Sequence, residues 1–472
     1  MTADEYDLIV IGAGPVGENV ADRAVQGGLT VVIVESELVG GECSYWACMP
    51  SKALLRPVQA LHAAHRVQGV AGGSLDVPAV LARRDSFTSE WSDAGQVDWL
   101  RSAGIDLARG HGRITGVREV TVTVTDADGS GRVLTAHHAV AIATGTEAVI
   151  PPIDGLVDAA PWTSREATSA QEIPFSLAII GGGVVAVEMA TAFASLGSRV
   201  TVLARSGLLS GMEEFAGEMA AEGLRSAGVD VRLNTETTQV ERDASGVTLT
   251  TSGGEVSAVE VLVATGRRPR TSDIGADAVG FEPGASIDVD DSLRVPGTDW
   301  LYAVGDVNGR APLTHQGKYQ ARAAGDVIAA GAAGDDIDDS RWGRHTATAD
   351  NAAVPQVVFA EPEIATVGLT EKAAREAGHE VRVIDQDLGV IAGASLYADG
   401  YAGRARIVVD AERDVVLGAT FVGPGVAELL QAATIAVVGE VPIARLWHAV
   451  PAYPTISEVW LRLLEQYGRE SA

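Results

Sequence analysis

Short apolar runs along the chain alternate with longer, helix-like stretches, and this alternation predicts strands and helices in turn. The first apolar run, residues 8–11, enters the glycine-rich turn Gly12-Ala-Gly14-Pro-Val-Gly17. A helix-like stretch and a second apolar run, residues 30–34, follow it. This part of the chain is therefore predicted to be a strand–helix–strand unit.

The glycines of the turn and the acidic residue Glu35 have the spacing of a dinucleotide-binding fingerprint. Gly12 would make the tight turn, Gly14 would let a pyrophosphate approach the backbone, and Gly17 would let the helix pack on the strand. Glu35 ends the second strand, where a carboxylate accepts a hydrogen bond from a ribose hydroxyl. A glycine-rich turn also serves purely structural ends, but here strand, helix and acid agree.

The same pattern occurs a second time. Residues 177–180 form an apolar run before Gly181-Gly-Gly183-Val-Val-Ala186, and residues 199–203 form the next run. Each copy continues into an alternating, hairpin-like stretch and an Ala-Thr-Gly triplet: residues 120–133 and 143–145, and residues 247–256 and 264–266. Repetition of the whole module predicts two nucleotide sites, although Ala186 replaces the third glycine in the second copy.

The pattern changes beyond residues 329–339, an Asp-, Gly- and Ala-rich stretch that predicts a boundary loop. The elements expected after it are strands at residues 357–359, 404–409 and 416–422 and helices at residues 425–438 and 456–467. This part has no nucleotide fingerprint, so we expect a different role for it.

Composition and charge narrow the class of protein. The 472 residues are 46% apolar, which is enough for two to four domains with sizeable cores. The 63 acidic and 35 basic residues give a formal charge of -28, which repels nucleic acid and anionic membranes. The N-terminus is acidic and no apolar run is long enough to cross a bilayer, so a cytoplasmic protein is expected.

Both cysteines of the chain, Cys43 and Cys48, lie in one box that ends in Pro-Ser-Lys52. In a regular helix their Cα atoms would be roughly 8 to 9 Å apart, whereas a disulfide needs about 7 Å or less. A bonded pair therefore requires Cys43 to lie outside regular helix. Metal sites need about four ligands, and structural disulfides are rare in a reducing cytosol. A redox pair is favoured, no metal site is expected, and metal binding and inert burial are the alternatives.

Together these motifs resemble the flavoprotein pyridine nucleotide-disulfide oxidoreductases, a family that includes dihydrolipoamide dehydrogenase, glutathione reductase and mercuric reductase. The resemblance covers nearly the whole chain and rests also on residues 302–306, 362–368 and 452–458. It implies an α/β fold with two Rossmann-like dinucleotide-binding domains and a C-terminal α+β dimerisation domain. The implied domains are FAD-binding (1–150 and 268–345), NAD(P)H-binding (151–267) and dimerisation (346–472). A homodimer is implied, in which each active site uses C-terminal residues of the other subunit.

The resemblance also implies roles for individual residues. Cys48 would contact the flavin and Cys43 would attack the substrate. Lys52 would pair with Glu188 beside the flavin and favour its reduced, anionic ring, and Asp306 would hydrogen-bond the ribityl chain. The residues expected to bind FAD are Gly12, Gly14, Gly17, Glu35, Lys52, Gly112, Thr144, Gly145 and Asp306.

The second fingerprint predicts which nicotinamide is bound. Its second strand leads into Ala204-Arg205, where an NAD site usually has a carboxylate for the ribose hydroxyls. Ala204 cannot accept a hydrogen bond, whereas Arg205 offers a bidentate grip on a 2′-phosphate. We expect NADPH, and a solvated surface arginine is the alternative. The residues expected to bind the nicotinamide nucleotide are Gly181, Gly183, Arg205 and Gly266.

Near the C-terminus the sequence departs from the family. Lipoamide and glutathione reductases have a histidine as general acid/base and a glutamate five residues later. Here Tyr453 replaces the histidine, while Glu458 remains. A tyrosine with the ordinary pKa of about 10 donates a proton but is a poor base near neutral pH. His448 could take the acid role, with a structural role as the alternative, and Trp46 could narrow the approach to the dithiol.

The sequence thus predicts an FAD-dependent, NADPH-linked disulfide oxidoreductase. Electrons would pass from NADPH through FAD to the Cys43/Cys48 dithiol and on to a disulfide of a small molecule or small protein. The residues expected to be catalytic are Cys43, Cys48, Lys52, Glu188, Tyr453 and Glu458. The alternatives are a flavoprotein reductase of quinones, metal ions or other non-disulfide acceptors, and a redox-sensing flavoprotein.

Overall fold

The computed structural model describes residues 4–123 and 131–468, which fold into alternating helices and strands. The strands are β1 Asp4–Ile11, β2 Val31–Glu35, β3 Ile105–Arg109, β4 His111–Gly116, β5 Glu119–Thr123, β6 Gly131–Ile142, β7 Thr146–Ala148, β8 Ser176–Ile180, β9 Arg199–Leu203, β10 Asp230–Arg232, β11 Thr237–Asp243, β12 Gly246–Thr251, β13 Gly254–Ala258, β14 Glu260–Val263, β15 Arg267–Pro269, β16 Leu301–Ala303, β17 Pro355–Val358, β18 Ile364–Gly368, β19 Val381–Asp387, β20 Arg404–Asp410 and β21 Val415–Val422.

The α-helices are α1 Pro15–Gln26, α2 Gly41–Tyr45, α3 Cys48–His65, α4 Val77–Phe87, α5 Ala94–Ser102, α6 Ser164–Ser169, α7 Val184–Ser195, α8 Glu214–Ser226, α9 Thr314–Ala333, α10 Ala349–Ala352, α11 Glu371–Glu376, α12 Ala392–Tyr397, α13 Leu430–Val438, α14 Ile443–Leu446 and α15 Val459–Tyr467. Short 3₁₀ helices cover Ser89–Trp91, Ala276–Val279, Asp306–Asn308, Leu388–Val390, Val426–Leu429 and Ile456–Glu458. None of the described helices is both long and apolar enough to span a bilayer.

The chain forms two compact units, each built from three separate segments. The first unit comprises Met1–Pro50, Asp85–Val149 and Arg267–Asn351, and the second comprises Ser51–Arg84, Ile150–Gly266 and Ala352–Ala472. The division into three domains at residues 150, 267 and 345 remains a prediction.

A sheet in the order β3-β2-β1-β6-β5-β4 organises the first unit, with β16 beside β6. Strands β1, β2, β3, β6 and β16 are parallel, and β4 and β5 join as an antiparallel edge. Alternate residues of β1 contribute to two different apolar clusters. Leu8 and Val10 belong to the cluster that includes residues of α1 and α9, and Ile9 and Ile11 belong to a second cluster. Burial on both faces explains why β1 is continuously apolar from Leu8 to Ile11.

The second unit contains a smaller parallel sheet, β10-β9-β8-β14, whose apolar side chains pack with those of α7 and α8. An antiparallel sheet of β11, β12 and β13 belongs to the same unit. Its C-terminal part is the antiparallel sheet β17-β18-β21-β20-β19, which forms one apolar core with α13 and α15. Up to residue 468, where the description ends, this part has no parallel strand–helix–strand unit, in agreement with its lack of a fingerprint.

Both predicted strand–helix–strand units are confirmed, and so is the second hairpin, formed by β12 and β13. The predicted turn of the first hairpin falls partly on residues 124–130, which lie outside the described residues. The predicted loop at residues 329–339 is wrong up to Ala333, because α9 continues to that residue. Alanine is a strong helix former, and the helix ends only at Gly334, which adopts the left-handed conformation.

Candidate active site

The first glycine-rich turn is tightly packed at its first and third glycines and open at its second. A Cβ atom on Gly12 would lie 2.5 Å from the carbonyl oxygen of Ala143, and one on Gly17 would lie 1.9 Å from the carbonyl oxygen of Gly12. A Cβ atom on Gly14 would meet nothing within 4 Å. The turn therefore offers open space at the N-terminus of α1, where backbone N–H groups and the helix dipole favour a phosphate.

The second turn repeats this arrangement. A Cβ atom on Gly181 would lie 2.2 Å from the carbonyl oxygen of Ala264, whereas Gly183 again has nothing within 4 Å. Ala186, at the position of the third glycine, is fully buried on α7. The alanine methyl is thus accommodated inside the unit, and the open space at Gly183 remains for a second pyrophosphate.

Glu35 is buried at the end of β2, and two backbone groups hold its carboxylate. The N–H of Ala13 donates to Oε2 at 2.8 Å, and the N–H of Glu37 donates to Oε1 at 2.7 Å. Burial raises the pKa of Glu35, while these two donors oppose that change. Each carboxylate oxygen can accept a further hydrogen bond, so the geometry suits a ribose hydroxyl.

Asp306 follows β16, and a hydroxyl and a buried amide fix its turn. Thr146 Oγ1 donates to the carboxylate at 2.9 Å, and burial raises the pKa of Asp306. The N–H of the preceding Gly305 donates to Gln320 Oε1 at 2.7 Å, and Gln320 Nε2 donates to Asp350 at 2.8 Å. The roles of Gln320 and Asp350 were missed by the sequence analysis, because they lie far from any fingerprint.

The parallel strands bring four of the predicted FAD-binding residues to one edge of the sheet. Gly12 follows β1, Glu35 ends β2, Thr144 follows β6 and Asp306 follows β16. The carboxyl ends of parallel strands are the usual nucleotide-binding edge. Of the other predicted residues, Gly14 and Gly17 lie at the start of α1, Gly112 lies in β4 with a Cβ position 3.0 Å from Val34 Cγ1, and Gly145 follows Thr144 at a φ of 69°. Lys52 does not belong to this sheet edge, because it lies on α3 in the second unit.

The two cysteines lie on separate helices. Cys43 is in the middle of α2, a helix of 5 residues, which is a correction to the expectation of a non-helical Cys43. Trp46, at a φ of -136°, interrupts the helix before α3 begins at Cys48, so the two thiols are not restricted to the spacing of one continuous helix. Cys48 Sγ lies 3.3 Å from the hydroxyl of Thr314, the first residue of α9. A thiolate at Cys48 could accept a hydrogen bond from this hydroxyl, and a position at the start of a helix suits a negative charge.

A strained turn contacts the segment that carries Cys43. Ser89–Trp91 has three consecutive positive φ values, 50°, 52° and 57°, at non-glycine residues, each costing about 1–2 kcal/mol. The indole N–H of Trp91 donates to the carbonyl oxygen of Tyr45 at 3.1 Å. Asp93 accepts the N–H of Val39 at 2.9 Å. No periodicity or motif in the sequence marked these residues.

Lys52 and Glu188 form an ion pair within the second unit. Lys52 Nζ lies 2.7 Å from Glu188 Oε2, and the ammonium group is 5.1 Å from the centre of the Phe359 ring. The backbone N–H of Phe359 donates to Glu188 Oε1 at 3.1 Å. Because the Glu188 side chain is 4% exposed, the pair places a fixed charge at a defined position on α3.

Arg205 follows β9 directly after Ala204. Ala204 is 2% exposed, whereas Arg205 is exposed beyond the end of the strand. Within residues 4–123 and 131–468 no carboxylate forms an ion pair with Arg205. Gly266, after β14, has a φ of 141°, which favours glycine. The guanidinium group is therefore available to an anion at this edge of the sheet.

The C-terminal candidates are not brought together. Tyr453 is 76% exposed and His448 is exposed, whereas Glu458 is buried. Glu458 Oε1 accepts a hydrogen bond from Arg462, four residues later in the chain, and in the described part of the chain no hydrogen bond joins Glu458 to Tyr453. Arg462 was missed by the sequence analysis, although its i,i+4 spacing is a usable signal.

Comparison with known proteins gives a consistent result over most of the chain. The sequence model of the pyridine nucleotide-disulphide oxidoreductases matches residues 6–321, and that of their dimerisation domain matches residues 354–463. A mercuric reductase of Shigella flexneri is 33% identical over 471 residues, covering 96% of this chain and 79% of the relative. A dihydrolipoyl dehydrogenase of Chlorobaculum tepidum is 32% identical over 467 residues, covering 97% and 96%.

Solved structures share the fold. LpdA from Mycobacterium tuberculosis superposes with a TM-score of 0.82 at 24% identity, covering 99% of this chain and 100% of the other. The HOCl-induced flavoprotein disulfide reductase RclA from Escherichia coli, as a Cu(II) complex, gives a TM-score of 0.83 at 23% identity, with coverage of 99% and 100%.

Proposed function

Since the chain belongs to the pyridine nucleotide-disulphide oxidoreductase family, we propose that NADPH is its electron donor and that Cys43 and Cys48 are its redox pair. Membership makes the chain an FAD-dependent, NAD(P)H-linked oxidoreductase that acts on sulfur groups. The proposal adds the nucleotide, the residues and the class of acceptor, which is a disulfide of a small molecule or small protein.

The observed geometry fits the two nucleotides. The open position at Gly14, the buried carboxylate of Glu35 and the fixed turn at Asp306 would hold the pyrophosphate, ribose and ribityl groups of FAD. The open position at Gly183 would hold the pyrophosphate of NADPH, bound by residues 151–267. When bound, FAD would supply the chemistry that takes up a hydride from NADPH and passes its two electrons to a disulfide.

The single observation that carries the proposal is the placement of the two cysteines. Cys48 is held by Thr314 at the start of α3, and Cys43 lies on the separate helix α2. Two electrons and two protons reduce the Cys43–Cys48 disulfide to two thiols. The Cys43 thiolate then attacks the acceptor disulfide and releases one thiol, and Cys48 attacks Cys43 in the mixed disulfide. The second thiol leaves, and the Cys43–Cys48 disulfide is restored.

Titration with NADPH tests this function. The anaerobic holoprotein should take up about four electrons per subunit, two for FAD and two for the cysteine pair. Both cysteines should become titratable by a thiol reagent in the denatured, reduced sample, and neither should react in the oxidised one. Uptake of only two electrons, with no new thiol, would contradict the assignment of Cys43 and Cys48.

Other residues take supporting roles in the proposal. Lys52 and Glu188 provide a fixed positive charge that favours the reduced, anionic flavin.

The chain carries the family's dimerisation domain, and we propose a homodimer in which the exposed Tyr453 donates a proton in the active site of the other subunit. Arg462, rather than Tyr453, fixes the carboxylate of Glu458. We propose a cytoplasmic location, because the reducing cytosol would keep the thiols of the redox pair available for exchange.

Arg205 supports NADPH over NADH. A bidentate, charge-assisted contact to the 2′-phosphate contributes about 1.5–3 kcal/mol, so Arg205→Ala should raise KM for NADPH about 10- to 100-fold and leave KM for NADH unchanged. Steady-state kinetics with both nucleotides measure this difference. Arg199→Ala is the matched control, because Arg199 begins β9 at its opposite end and stacks on Phe175. Equal kcat/KM values of the native enzyme for NADH and NADPH would contradict the preference.

A second candidate function is the reduction of a quinone, a metal ion or another non-disulfide acceptor. Tyr453 favours it, because thiol exchange with disulfides works best with a base at this position. One relative is a mercuric reductase. The Cys43→Ser variant separates the two candidates, since only disulfide exchange requires the Cys43 thiol.

A further inference from the structure

The chain segment that carries Cys43 is held at its C-terminal end by an indole group. Tyr45 is the last residue of α2, and its carbonyl oxygen is one of those that a helix end leaves without an intrahelical partner. Trp91 Nε1 donates to this oxygen at 3.1 Å. The two residues are 46 positions apart in the sequence, so the bond fixes α2 to a part of the first unit that is remote along the chain.

The N-terminal end of the same segment is held by a carboxylate two residues beyond Trp91. Asp93 accepts the backbone N–H of Val39 at 2.9 Å and forms an ion pair with Arg109. Arg109 in turn donates to the carbonyl oxygen of Glu37 at 2.7 Å. Residues 37–45 are therefore held on both sides of Cys43 by side chains of β3 and of the stretch 91–93.

The backbone of this stretch adopts a rare conformation. The three positive φ values of Ser89–Trp91 are maintained by two short-range bonds, from the N–H of Trp91 to the carbonyl of Thr88 and from the N–H of Ser92 to the carbonyl of Ser89, each at 2.9 Å. Non-glycine residues persist in this region only where the surrounding structure enforces it, and such residues cluster at functional sites. Here the turn leads directly to the two side chains that hold the Cys43 segment.

We propose that Trp91 is a positioning residue for the redox pair, and that its bond to Tyr45 restrains α2 so that the Cys43 thiol stays within reach of Cys48. The inference rests on the proposed function of Cys43 and Cys48. Restraining two reacting groups raises their effective concentration. Loosening α2 therefore disfavours the Cys43–Cys48 disulfide relative to the two thiols. These thiols form when the disulfide takes up two electrons and two protons. In this role Trp91 acts through the backbone of α2.

The test is the thiol–disulfide equilibrium of the holoenzyme. The Trp91→Phe variant keeps an aromatic ring but loses the N–H donor. Equilibrated with glutathione buffers, it should show an equilibrium constant for disulfide formation about five- to tenfold below that of the native enzyme. This change corresponds to a reduction potential about 20–30 mV higher. Asp93→Asn, which weakens the hold of Arg109 at the other end, should shift the constant in the same direction.

Trp99→Phe is the matched control, because Trp99 lies nearby on α5 but is 41% exposed. An unchanged equilibrium in Trp91→Phe would overturn the inference whatever Asp93→Asn shows, and so would an equal shift in Trp99→Phe. A native enzyme whose thiol count does not respond to the buffers would instead refute the proposed redox pair. The two failures are thus distinguishable.

Discussion

Replacement of Cys48 by serine is expected to abolish the long-wavelength charge-transfer band that NADPH produces in the anaerobic holoenzyme. The band needs a thiolate as donor, and Cys48 is the thiol that we propose to face the flavin. In the structure Cys48 begins α3 and its sulfur lies 3.3 Å from the Thr314 hydroxyl, which can donate to a thiolate. A serine hydroxyl stays protonated and is a poor donor. Absorbance spectra during titration measure the loss.

The Cys43→Ser variant is the matched control, since it keeps Cys48 as a thiol and should show the band with oxidised flavin, before NADPH is added. With a disulfide acceptor, both single variants and the double variant should lose turnover by about the same large factor, on the order of a thousandfold or more, because residues that act as a unit are not additive. A band that persists in Cys48→Ser, or disappears only in Cys43→Ser, would reverse the assigned roles. Turnover of a quinone or metal ion that survives Cys43→Ser would identify the second candidate function.

Lys52→Met is expected to slow flavin reduction by NADPH about 10- to 100-fold and to lower the free energy of unfolding by about 3 kcal/mol. Removal of one preorganised group from a site that excludes water costs about 100- to 1000-fold in rate, and we expect a smaller factor here because the Lys52 side chain is 36% exposed. The cost in stability arises because Glu188, 4% exposed, would keep its carboxylate without a counter-ion, and breaking a buried pair from one side costs about 3–5 kcal/mol. Stopped-flow absorbance and equilibrium denaturation at saturating FAD measure the two effects.

The companion variants show whether the two residues act as a pair. Glu188→Gln should cost only about 1 kcal/mol, since the amide still accepts the N–H of Phe359 and the half-exposed Lys52 can turn to solvent. The double variant should be more stable than Lys52→Met alone. Lys372→Met, in an exposed surface pair with Glu376, should change the free energy of unfolding by less than about 1 kcal/mol. Strictly additive effects of the two substitutions would contradict a coupled pair.

The parts of the fold that local sequence determines were predictable. Apolar runs, glycine spacing and the acid at Glu35 are contained within about thirty consecutive residues, and the structure has a strand–helix–strand unit at each fingerprint. Helix boundaries were less predictable. The alanines before Gly334 extend α9 into a stretch whose composition indicated a loop, because helix propensity and loop composition overlap for Ala and Gly.

Contacts between residues distant in sequence were not predictable in the same way. Trp91 adopts a left-handed conformation that no local preference of tryptophan favours, and its role depends on the carbonyl of Tyr45, 46 positions away. Gln320 supports the turn at Gly305 through a buried amide that belongs to no motif. For Lys52 and Glu188, the family resemblance supplied the pairing that spacing alone does not reveal.

The ion pair also has a consequence for the order in which the second unit assembles. Glu188 accepts a hydrogen bond from Lys52, 136 positions away in the sequence, and one from the N–H of Phe359, 171 positions away. It therefore connects all three chain segments of that unit. Contacts of such long range form only after the intervening chain has been brought together, because loop closure must come first. The charge of Lys52 is therefore fixed in place late in folding, and a subunit that has not incorporated its C-terminal segment lacks this part of the proposed catalytic machinery.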